Sequence, residues 1–283
     1  MKGHGTSHGA ATIVSAFATG RGAAFGIDLT TTADVVLEEG SGIEARIDGS
    51  PTESIALAEE CARAVLEKYG DGRRYHVSIV TRSEIPISKG LKSSSAAANA
   101  IIAAMLDALS VDYDELDAIR LGARAAVRAG VSVTGAFDDA CAAWFGGVVL
   151  TDNSRDAVLA RDVMPEDLDV LIHVPAPQIR KSTLPLDRIA AMRGIVDVAF
   201  RLAEEGDYLR ALTLNGMCYS AALRLDTDVA VRALQNGAVA AGLTGSGPAT
   251  VMLVERSRSN ELLREMEGLT LMRANIHNGR SMT

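Results

Sequence analysis

The chain has 283 residues and a formal net charge of −8 at pH 7. This acidic balance argues against a nucleic-acid-binding protein, which needs a basic face, but a few local cations would still bind a small anionic substrate. Hydrophobic residues make up 48% of the chain and aromatic residues only 4%, so the core must consist mainly of Ala, Val, Leu and Ile side chains. The length allows one large domain or two modest ones.

The cysteines and the apolar runs indicate where the protein works. The three cysteines are widely separated and form no CxxC pair, so we expect buried free thiols in a reducing cytosol rather than disulfides or a zinc site. Residues 1–18 imitate a secretory signal, but Thr12 and Ser15 dilute its apolar part. No apolar run approaches the roughly 20 residues of a membrane span. We therefore expect a cytoplasmic protein, monomeric or homodimeric, that binds neither a membrane nor a nucleic acid.

The first half of the chain combines strands and helices. The strand-like run ATIVSAFA precedes the glycine-rich TGRGAAFGIDL, and ADVVLEE and IEARID resemble the strands of a hairpin around Gly40 and Gly42. Helical spacing of apolar residues predicts three helices, over 53–69, from the serine-rich segment to about 109, and over 114–129. The third of these is expected to turn Val127 inward. YHVSIVTRS and CAAWFGGVVLTD are typical of buried or half-buried strands.

A polar, proline-containing stretch, NSRDAVLARDVMPED, predicts a boundary between a domain over 1–155 and a domain over 156–283. The second half begins with the strand LDVLIHVP and continues with helices around 185–204, 207–223 and 227–236. A glycine turn then feeds a strand in AGLTGSGPATVMLVE, and a short helix leads to a last strand, LMRANIH. Because strands and helices do not alternate regularly, we predict two α+β layers rather than one doubly wound sheet.

The segment IPISKGLKSSSAAANAIIAAML carries the strongest functional signal. A helix N-terminus has unpaired N–H groups and a partial positive charge, so it binds anions. Residues 93–95, all serines, can cap this terminus, and Gly90 permits a tight turn. Lys89 and Lys92 add mobile positive charge, and a serine hydroxyl is a suitable Mg²⁺ ligand beside phosphate oxygens. We interpret the segment as a cradle for a di- or triphosphate; an ordinary well-capped helix is the alternative.

Other nucleotide-binding patterns are absent from the sequence. No G-x4-G-K-[ST] motif exists, so the chain is not a P-loop enzyme. Neither HRD nor DFG occurs, which excludes a protein kinase. GRGAAFG lacks the spacing of a dinucleotide-binding turn.

Three motifs in order resemble those of the GHMP kinases, the superfamily of galactokinase, homoserine kinase, mevalonate kinase and phosphomevalonate kinase. PISKGLKSSSAAA resembles the P-x3-G-L-x-S-S-x-A signature of that superfamily. ATGRGAAFG, at 18–26, is similar to the first motif, and LTGSGPATVMLV, at 243–254, is similar to the third. The resemblance therefore spans most of the chain and does not depend on the serine loop alone.

This resemblance implies an α+β, two-domain fold, with an N-terminal α+β domain, a ferredoxin-like C-terminal domain, and ATP and substrate between them. The serine loop would wrap the triphosphate, and Ser94 matches the family serine that reaches Mg²⁺. The implied ATP-binding residues lie in the serine loop and the third motif: Pro86, Ile87, Ser88, Lys89, Gly90, Leu91, Lys92, Ser93, Ser94, Ser95, Ala96, Gly245, Ser246 and Gly247.

A second acidic segment supplies the candidate catalytic group. VSVTGAFDDACAAWFGG is similar to the S-G-V-D-N-A segment of the family, which places Asp138 where mevalonate kinases carry their catalytic aspartate. Asp138 would accept the proton of the acceptor hydroxyl, whereas Asp139 is expected to point elsewhere; solvated turn carboxylates or helix caps are the alternative for both. Arg21 replaces the lysine of the first motif and would stabilise charge on the phosphoryl group or on Asp138. Val127 occupies the position of a Mg²⁺-binding glutamate of mevalonate kinases, so the metal ligands beyond Ser94 stay open.

The longer phrases GAATIVSAFATGRGAAFGIDL and VTGAFDDACAAWFGG resemble the archaeal-type shikimate kinases of this superfamily. That resemblance implies ATP-dependent phosphorylation of the shikimate 3-hydroxyl, on the route to chorismate and aromatic amino acids. Shikimate carries a carboxylate, so Arg180 and Lys181 are candidates to bind it, with solvated surface as the alternative. Asp28 would bind a substrate hydroxyl or cap a turn.

Two other functions stay open at this point. A homoserine kinase would phosphorylate a small amino-acid hydroxyl with the same ATP cradle. A GHMP-fold sensor would bind ATP and a ligand without turnover, although the complete serine loop, Arg21 and Asp138 speak against a silent protein.

Overall fold

The computed structural model describes residues 1–50, 52–132, 135–176 and 184–279. A first sheet contains six strands: β1 (Lys2–Val14), β2 (Arg21–Glu39), β3 (Gly42–Ile47), β4 (Tyr75–Ser83), β5 (Val148–Asp152) and β6 (Ala157–Asp162). Their order is β3-β4-β2-β5-β6, with β1 also paired to β2. All neighbours are antiparallel except β3 and β4, which are parallel.

Four helices accompany this sheet: α1 (Ala56–Tyr69), α2 (Ser93–Leu109), α3 (Glu115–Arg128) and α4 (Phe137–Phe145). Side chains alternate along the start of β1, so the buried Gly3 and Gly5 face α2. A Cβ at either glycine would overlap the carbonyl oxygen of Ala104 or Ala100 on α2. The glycines therefore let the strand and the alanine-rich helix approach at backbone distance, which an ordinary side chain would prevent.

A second, antiparallel sheet follows, with strands β7 (Leu168–His173), β8 (Ala240–Leu243), β9 (Thr250–Glu255) and β10 (Leu271–Asn275) in the order β10-β7-β9-β8. Its helices are α5 (Leu186–Ala191), α6 (Arg193–Glu204), α7 (Tyr208–Leu223), α8 (Asp228–Gln235) and α9 (Ser259–Glu265). Helices α5–α8 lie between β7 and β8, and α9 lies between β9 and β10. This β-α-β-β-α-β pattern with its strand order is ferredoxin-like, as the resemblance implied.

One apolar cluster joins the two sheets. Ile13 of β1 and Phe25 of β2 belong to the same buried cluster as Phe200 of α6 and Tyr219 of α7, and all four are at most 1% exposed. The Tyr219 hydroxyl donates to the backbone oxygen of Ser15 at 3.2 Å, just after β1 ends. The turn after β1 is therefore fixed to the second sheet's helices, which matters for the cavity beside it.

Several local predictions are wrong. Glycines 40 and 42 do not close a hairpin, because β3 pairs in parallel with β4 and not with β2. CAAWF belongs to helix α4 and only the following residues form a strand, β5. Val127 is 44% exposed on α3 instead of facing inward.

The predicted boundary at residue 155 is crossed by the first sheet. Strand β6 lies beyond that boundary and pairs with β5. The strands of the second sheet begin only at Leu168. The division into domains 1–155 and 156–283 stays a prediction. None of the described helices is long and apolar enough to cross a membrane.

Candidate active site

A cavity of about 340 Å³ lies where the turn after β1, the start of α2, the start of α4 and the turn between β8 and β9 meet. Seven residues of the serine-rich loop lie on its wall, as do both aspartates of α4. Residues on the cavity wall include Thr12, Phe17, Glu53, Ser88, Gly90, Lys92, Ser93, Ser94, Ser95, Asp138, Asp139, Asn153, Gly245 and Ser246. The structure thus brings three separate sequence motifs to one cavity.

The serine loop reaches the cavity through a tightly turned backbone. Ser88, Gly90 and Lys92 have φ values of 58°, 86° and 65°, so the loop passes through the left-handed region three times within five residues. Lys92 occupies the N-cap position of α2, and its side chain makes no capping hydrogen bond. The prediction that the serines cap the helix is therefore wrong. Residues 93–95 form the first turn instead, where backbone N–H groups have no intrahelical acceptor and are available to an anion.

The turn between β8 and β9 holds the serine loop from the other side. A Cβ at Gly90 would overlap the carbonyl oxygen of Thr244, so only glycine allows this approach. The Thr244 hydroxyl donates to the backbone oxygen of Gly90 at 3.1 Å. The Ala249 amide donates to the backbone oxygen of Lys89 at 3.2 Å. These bonds position Gly245 and Ser246 opposite the first turn of α2.

Asp138 is buried at the start of α4 and is only 4% exposed. The side-chain amide of Asn153 donates to its Oδ1 at 2.8 Å, and Asn153 Oδ1 accepts the backbone N–H of Asp138 at 3.2 Å. The Thr151 hydroxyl donates to the same Asn153 oxygen at 2.6 Å, which fixes the orientation of the amide. Gly22 of β2 makes room for the carboxylate, because a Cβ there would lie 2.7 Å from Asp138 Cγ.

The surroundings of Asp138 favour its protonated form. Burial, followed by repulsion from Asp139, raises its pKa from 3.8 to about 6. The charge of Lys92 and the hydrogen bond from Asn153 oppose that rise. A carboxylate with a pKa near 6 is a better proton acceptor than an ordinary aspartate and is still ionised at neutral pH.

Asp139 does not point away from the site, contrary to the prediction. Its Oδ1 lies 2.7 Å from the ammonium nitrogen of Lys92, and the two side chains are 12% and 5% exposed. The Lys92 ammonium group also donates to the hydroxyl of Thr12 at 2.6 Å. Lys92 is thus held in a buried ion pair and is not the mobile cation that the sequence suggested.

Not every predicted ATP-binding residue reaches the cavity. Ile87 lines it together with the loop residues already described. Leu91 is fully buried in the apolar cluster between the sheets, and the Lys89 ammonium group donates to the backbone oxygens of Pro175 and Ala176 at 2.6 and 2.8 Å. The predicted residues that do not line the cavity are Pro86, Lys89, Leu91, Ala96 and Gly247.

Arg21 lies outside the cavity lining. Its guanidinium group pairs with Asp197 of α6 at 2.9 Å and stacks over the ring of Phe200, 4.5 Å from the centroid. Because successive side chains of a strand point to opposite faces, Arg21 faces away from the side on which Gly22 meets Asp138. The structure does not bring Arg21 to Asp138, and its catalytic role stays a prediction.

The predicted substrate-binding residues are not assembled at the cavity. Both carboxylate oxygens of Asp28 accept hydrogen bonds from Asn275, from its backbone at 2.8 Å and its side chain at 2.7 Å. Asp28 therefore attaches the end of β10 to the middle of β2 and is absent from the described cavity wall. Arg180 and Lys181 lie outside the residues that the structure describes.

Sequence reasoning missed several wall residues, among them Thr12, Phe17, Glu53 and Asn153. Asn153 follows β5 within a polar stretch, NSRD, whose composition predicts only a domain boundary. Glu53 precedes α1 and brings a carboxylate to the wall, whereas Val127 does not. Nothing in the local pattern marks Thr12, a hydroxyl in an apolar strand, and its role follows only from its contacts.

Two family descriptions match the chain. "GHMP kinases N terminal domain" matches residues 56–147, and "GHMP kinases C terminal" matches residues 201–268. The first match contains α2 and α4, and the second contains the turn between β8 and β9. A solved homoserine kinase from Cytophaga hutchinsonii has the same fold, with a TM-score of 0.77, 18% identity, and coverage of 99% of this chain and 96% of that chain.

Relatives of higher identity narrow the family. A shikimate kinase from Methanothrix thermoacetophila is 42% identical over 280 residues, which cover 98% of this chain and 95% of the relative. A shikimate kinase from Methanococcoides burtonii is 45% identical over 262 residues, with coverage of 92% and 90%. The chain therefore belongs to the GHMP kinases and, within them, to the family of these archaeal shikimate kinases.

Proposed function

We propose that the protein transfers the γ-phosphoryl group of ATP to the 3-hydroxyl of shikimate, giving 3-phosphoshikimate and ADP. One observation carries the proposal: a buried carboxylate with a raised pKa, Asp138, shares a cavity with the open first turn of α2. The relatives named shikimate kinase supply the choice of acceptor. Phosphoryl transfer needs little covalent chemistry from the protein beyond positioning and charge stabilisation, and this cavity offers both.

The nucleotide phosphates are proposed to bind at the first turn of α2. Three successive serines there present hydroxyls and backbone N–H groups at the positive end of a 17-residue helix. The turn with Gly245 and Ser246 closes the opposite wall. Gly90 lets the Thr244 carbonyl oxygen approach the loop, and so holds that wall beside the first turn of α2.

Mg²⁺ is the proposed metal, and the donor set fits it. The serine hydroxyls on the cavity wall are hard oxygen donors of the kind that Mg²⁺ prefers. In kinases this ion keeps several waters and is bound largely through substrate phosphates, so few protein ligands are needed. Ser94 is the proposed protein ligand through its hydroxyl. When bound, Mg²⁺ would neutralise charge that develops on the phosphate oxygens.

Asp138 is the proposed general base. It would accept the proton of the shikimate 3-hydroxyl while the hydroxyl oxygen bonds to the γ-phosphorus and the bond from that phosphorus to the ADP oxygen breaks. The Asn153 amide holds one carboxylate oxygen, so the other is the one available to the acceptor. Gly22 lies beside that second oxygen, Oδ2, and its missing side chain makes room for the carboxylate.

The activity should fall in acid because Asp138 must be ionised to accept a proton. We expect kcat/KM for shikimate to decrease below about pH 6, by about tenfold for each further pH unit, since this ratio reports the free enzyme. The measurement is a steady-state pH profile between pH 5 and 8. A profile that stays flat down to pH 5 would contradict an Asp138 base of raised pKa.

The substrate carboxylate requires a cation, and Arg180 and Lys181 stay the proposed partners. Arg21 and Asp28 stay proposals with less support, because their side chains are engaged with Asp197 and Asn275. The protein would act on the route to chorismate and aromatic amino acids. All three cysteines are buried and unpaired, which suits the reducing cytoplasm that we propose as its location.

The proposed function is tested by ADP release with ATP and Mg²⁺ against shikimate, homoserine, mevalonate and galactose. We expect turnover with shikimate at a kcat/KM at least about 100-fold above that of the other three acceptors, since a site built for one acceptor's polar groups rejects the others strongly. Turnover with homoserine instead would replace the proposed acceptor. ATP binding without turnover on any acceptor would support a sensor.

A further inference from the structure

The buried ion pair between Lys92 and Asp139 is unusual for its place. Both side chains are nearly inaccessible, yet both lie on the wall of the cavity. A buried ion pair does not by itself stabilise a fold, because desolvation offsets most of the attraction. Lys92 also adopts a left-handed backbone conformation, with φ of 65°, that a lysine rarely takes. These two costs fall at the site where phosphoryl transfer is proposed.

The Lys92 ammonium group joins three parts of the site. It contacts the Asp139 carboxylate on α4 at 2.7 Å and the Thr12 hydroxyl on β1 at 2.6 Å. The same Thr12 oxygen accepts the backbone N–H of Gly245 at 2.8 Å. One cation therefore connects the serine loop, β1 and α4, and through Thr12 it also reaches the turn between β8 and β9.

The ion pair also affects how readily Asp138 ionises. Asp139, its neighbour on α4, disfavours ionisation of Asp138, and Lys92, from the serine loop, favours it. The other titratable groups coupled to Asp138 are Cys141 on α4 and Tyr219 on α7. Burial raises the pKa of the Cys141 thiol and raises that of Tyr219 to about 12, so both are neutral at the working pH. Among the described residues, Lys92 and Asp139 are therefore the charged groups that shift the pKa of Asp138.

We propose that Lys92 and Asp139 are positioning residues for phosphoryl transfer. Asp139 and Thr12 hold the Lys92 ammonium group in place. There it offsets the negative charge of Asp139 beside Asp138, and it fixes the serine loop against the wall that carries Asp138. This inference rests on the proposed function for its role, but its electrostatic content does not depend on the acceptor. Lys92 thus has a specific role, a fixed ion pair with Asp139, in addition to any general attraction for phosphate.

The test compares Lys92→Met and Asp139→Asn in two measurements. Carboxyl-carbon NMR titration of the ligand-free protein follows Asp138, and the pH profile of kcat/KM for shikimate follows the enzyme. Lys92→Met should raise the pKa of Asp138 and move the acid limb upward by about one pH unit, and Asp139→Asn should move both downward by a similar amount. Lys92→Met should also lower kcat by about tenfold to 100-fold, and Lys92→Arg should restore part of that loss.

Asp169→Asn is the matched control. Asp169 is a buried carboxylate of β7 that pairs with Arg256 and Arg273 and is absent from the described cavity wall. Its loss should lower the Tm without moving the titration of Asp138. If Lys92→Met and Asp139→Asn likewise lower only the Tm, the pair is structural and the inference is overturned.

The NMR titration separates this inference from the proposed function. The pKa of Asp138 could shift in opposite directions in the two variants while the wild type does not phosphorylate shikimate. That result would support the electrostatic role of the pair and reject shikimate as the acceptor. If the wild type phosphorylates shikimate and the pKa of Asp138 is unchanged in both variants, the proposed function stands and the inference about the pair is overturned. Asp139→Asn keeps the shape of the side chain, so it tests the inference even where Lys92→Met fails to fold.

Discussion

Replacing Asp138 with asparagine is expected to lower kcat by about 10³-fold, because the variant loses the proposed proton acceptor. ATP binding should change little, since the first turn of α2 and the turn with Gly245 are untouched. Asparagine has the shape of aspartate, and its oxygen can still accept the hydrogen bond from Asn153. A coupled assay of ADP release and calorimetric titration of ATP measure the two effects. Full turnover in this variant would contradict the assignment of the base.

The same variant should be more stable than the wild type at neutral pH. Folding raises the pKa of Asp138 from 3.8 to about 6, so the folded protein binds the proton more tightly than the unfolded chain between these values. Stability therefore falls as pH rises through that window, and the whole cost is present above about pH 6. Removing the charge should raise the free energy of unfolding by roughly 3 kcal/mol at pH 7.5 and by little at pH 4.

Urea unfolding of the wild type and of Asp138→Asn at pH 7.5 and pH 4 measures whether the free energy of unfolding rises as expected. Asp169→Asn supplies the contrast, because burial alone would raise the pKa of that carboxyl but the hydrogen bonds from Arg273 and Arg256 hold it below its usual value. Its replacement should destabilise the protein at pH 7.5, where Asp138→Asn stabilises it. A destabilised Asp138→Asn variant at pH 7.5 would mean that the carboxylate is held favourably, contrary to its raised pKa.

Most of the helices are predictable from the sequence because their signals are local, but α4 is not, since its apolar residues predict a strand. Asp114 caps α3 through its side chain, and Gly70 follows α1 at its C-terminus. The other elements of the ferredoxin-like half follow the predicted order, but β8 was missed because its residues, Ala240–Leu243, were interpreted as part of the glycine turn before β9. Strand β1 was predicted too short, because its first half consists of glycine, histidine and serine, which carry no apolar alternation. The parallel pairing of β3 with β4 joins segments separated by α1, and no local pattern predicts it.

The candidate site was predicted where a motif is continuous in the chain. The serine loop, Gly245 and Asp138 each stand in a recognisable phrase, and the structure brings them to one cavity. The pair of Lys92 with Asp139 depends on the packing of α4 against the serine loop, so no local pattern in the chain predicts it. Arg21 is the opposite case, since its motif predicts a catalytic position whereas strand alternation turns its side chain toward α6, and its role stays a prediction.

Gly22→Ala is expected to have the second large effect. A Cβ at Gly22 would lie 2.7 Å from Asp138 Cγ and would overlap Oδ2. Gly22 pairs with Thr151 of β5 inside the sheet, so its backbone cannot retreat and the carboxylate must move. A displacement of about 1 Å at a catalytic group can cost on the order of 100-fold in rate, so we expect kcat to fall by about that factor. The KM for ATP should change little, and overpacking should cost about 1–3 kcal/mol of stability.

A Gly194→Ala variant separates this effect from a general cost of the substitution. Gly194 lies near the start of α6, and a Cβ there meets no other described atom within 4 Å. It should keep wild-type kcat and gain about 0.5–1 kcal/mol of stability, because alanine favours the helix. Gly22→Ala combined with Asp138→Asn should be no slower than Asp138→Asn alone, because both changes act on one carboxylate. A further large loss in the double variant, or wild-type kcat in Gly22→Ala, would show that Gly22 does not act through Asp138.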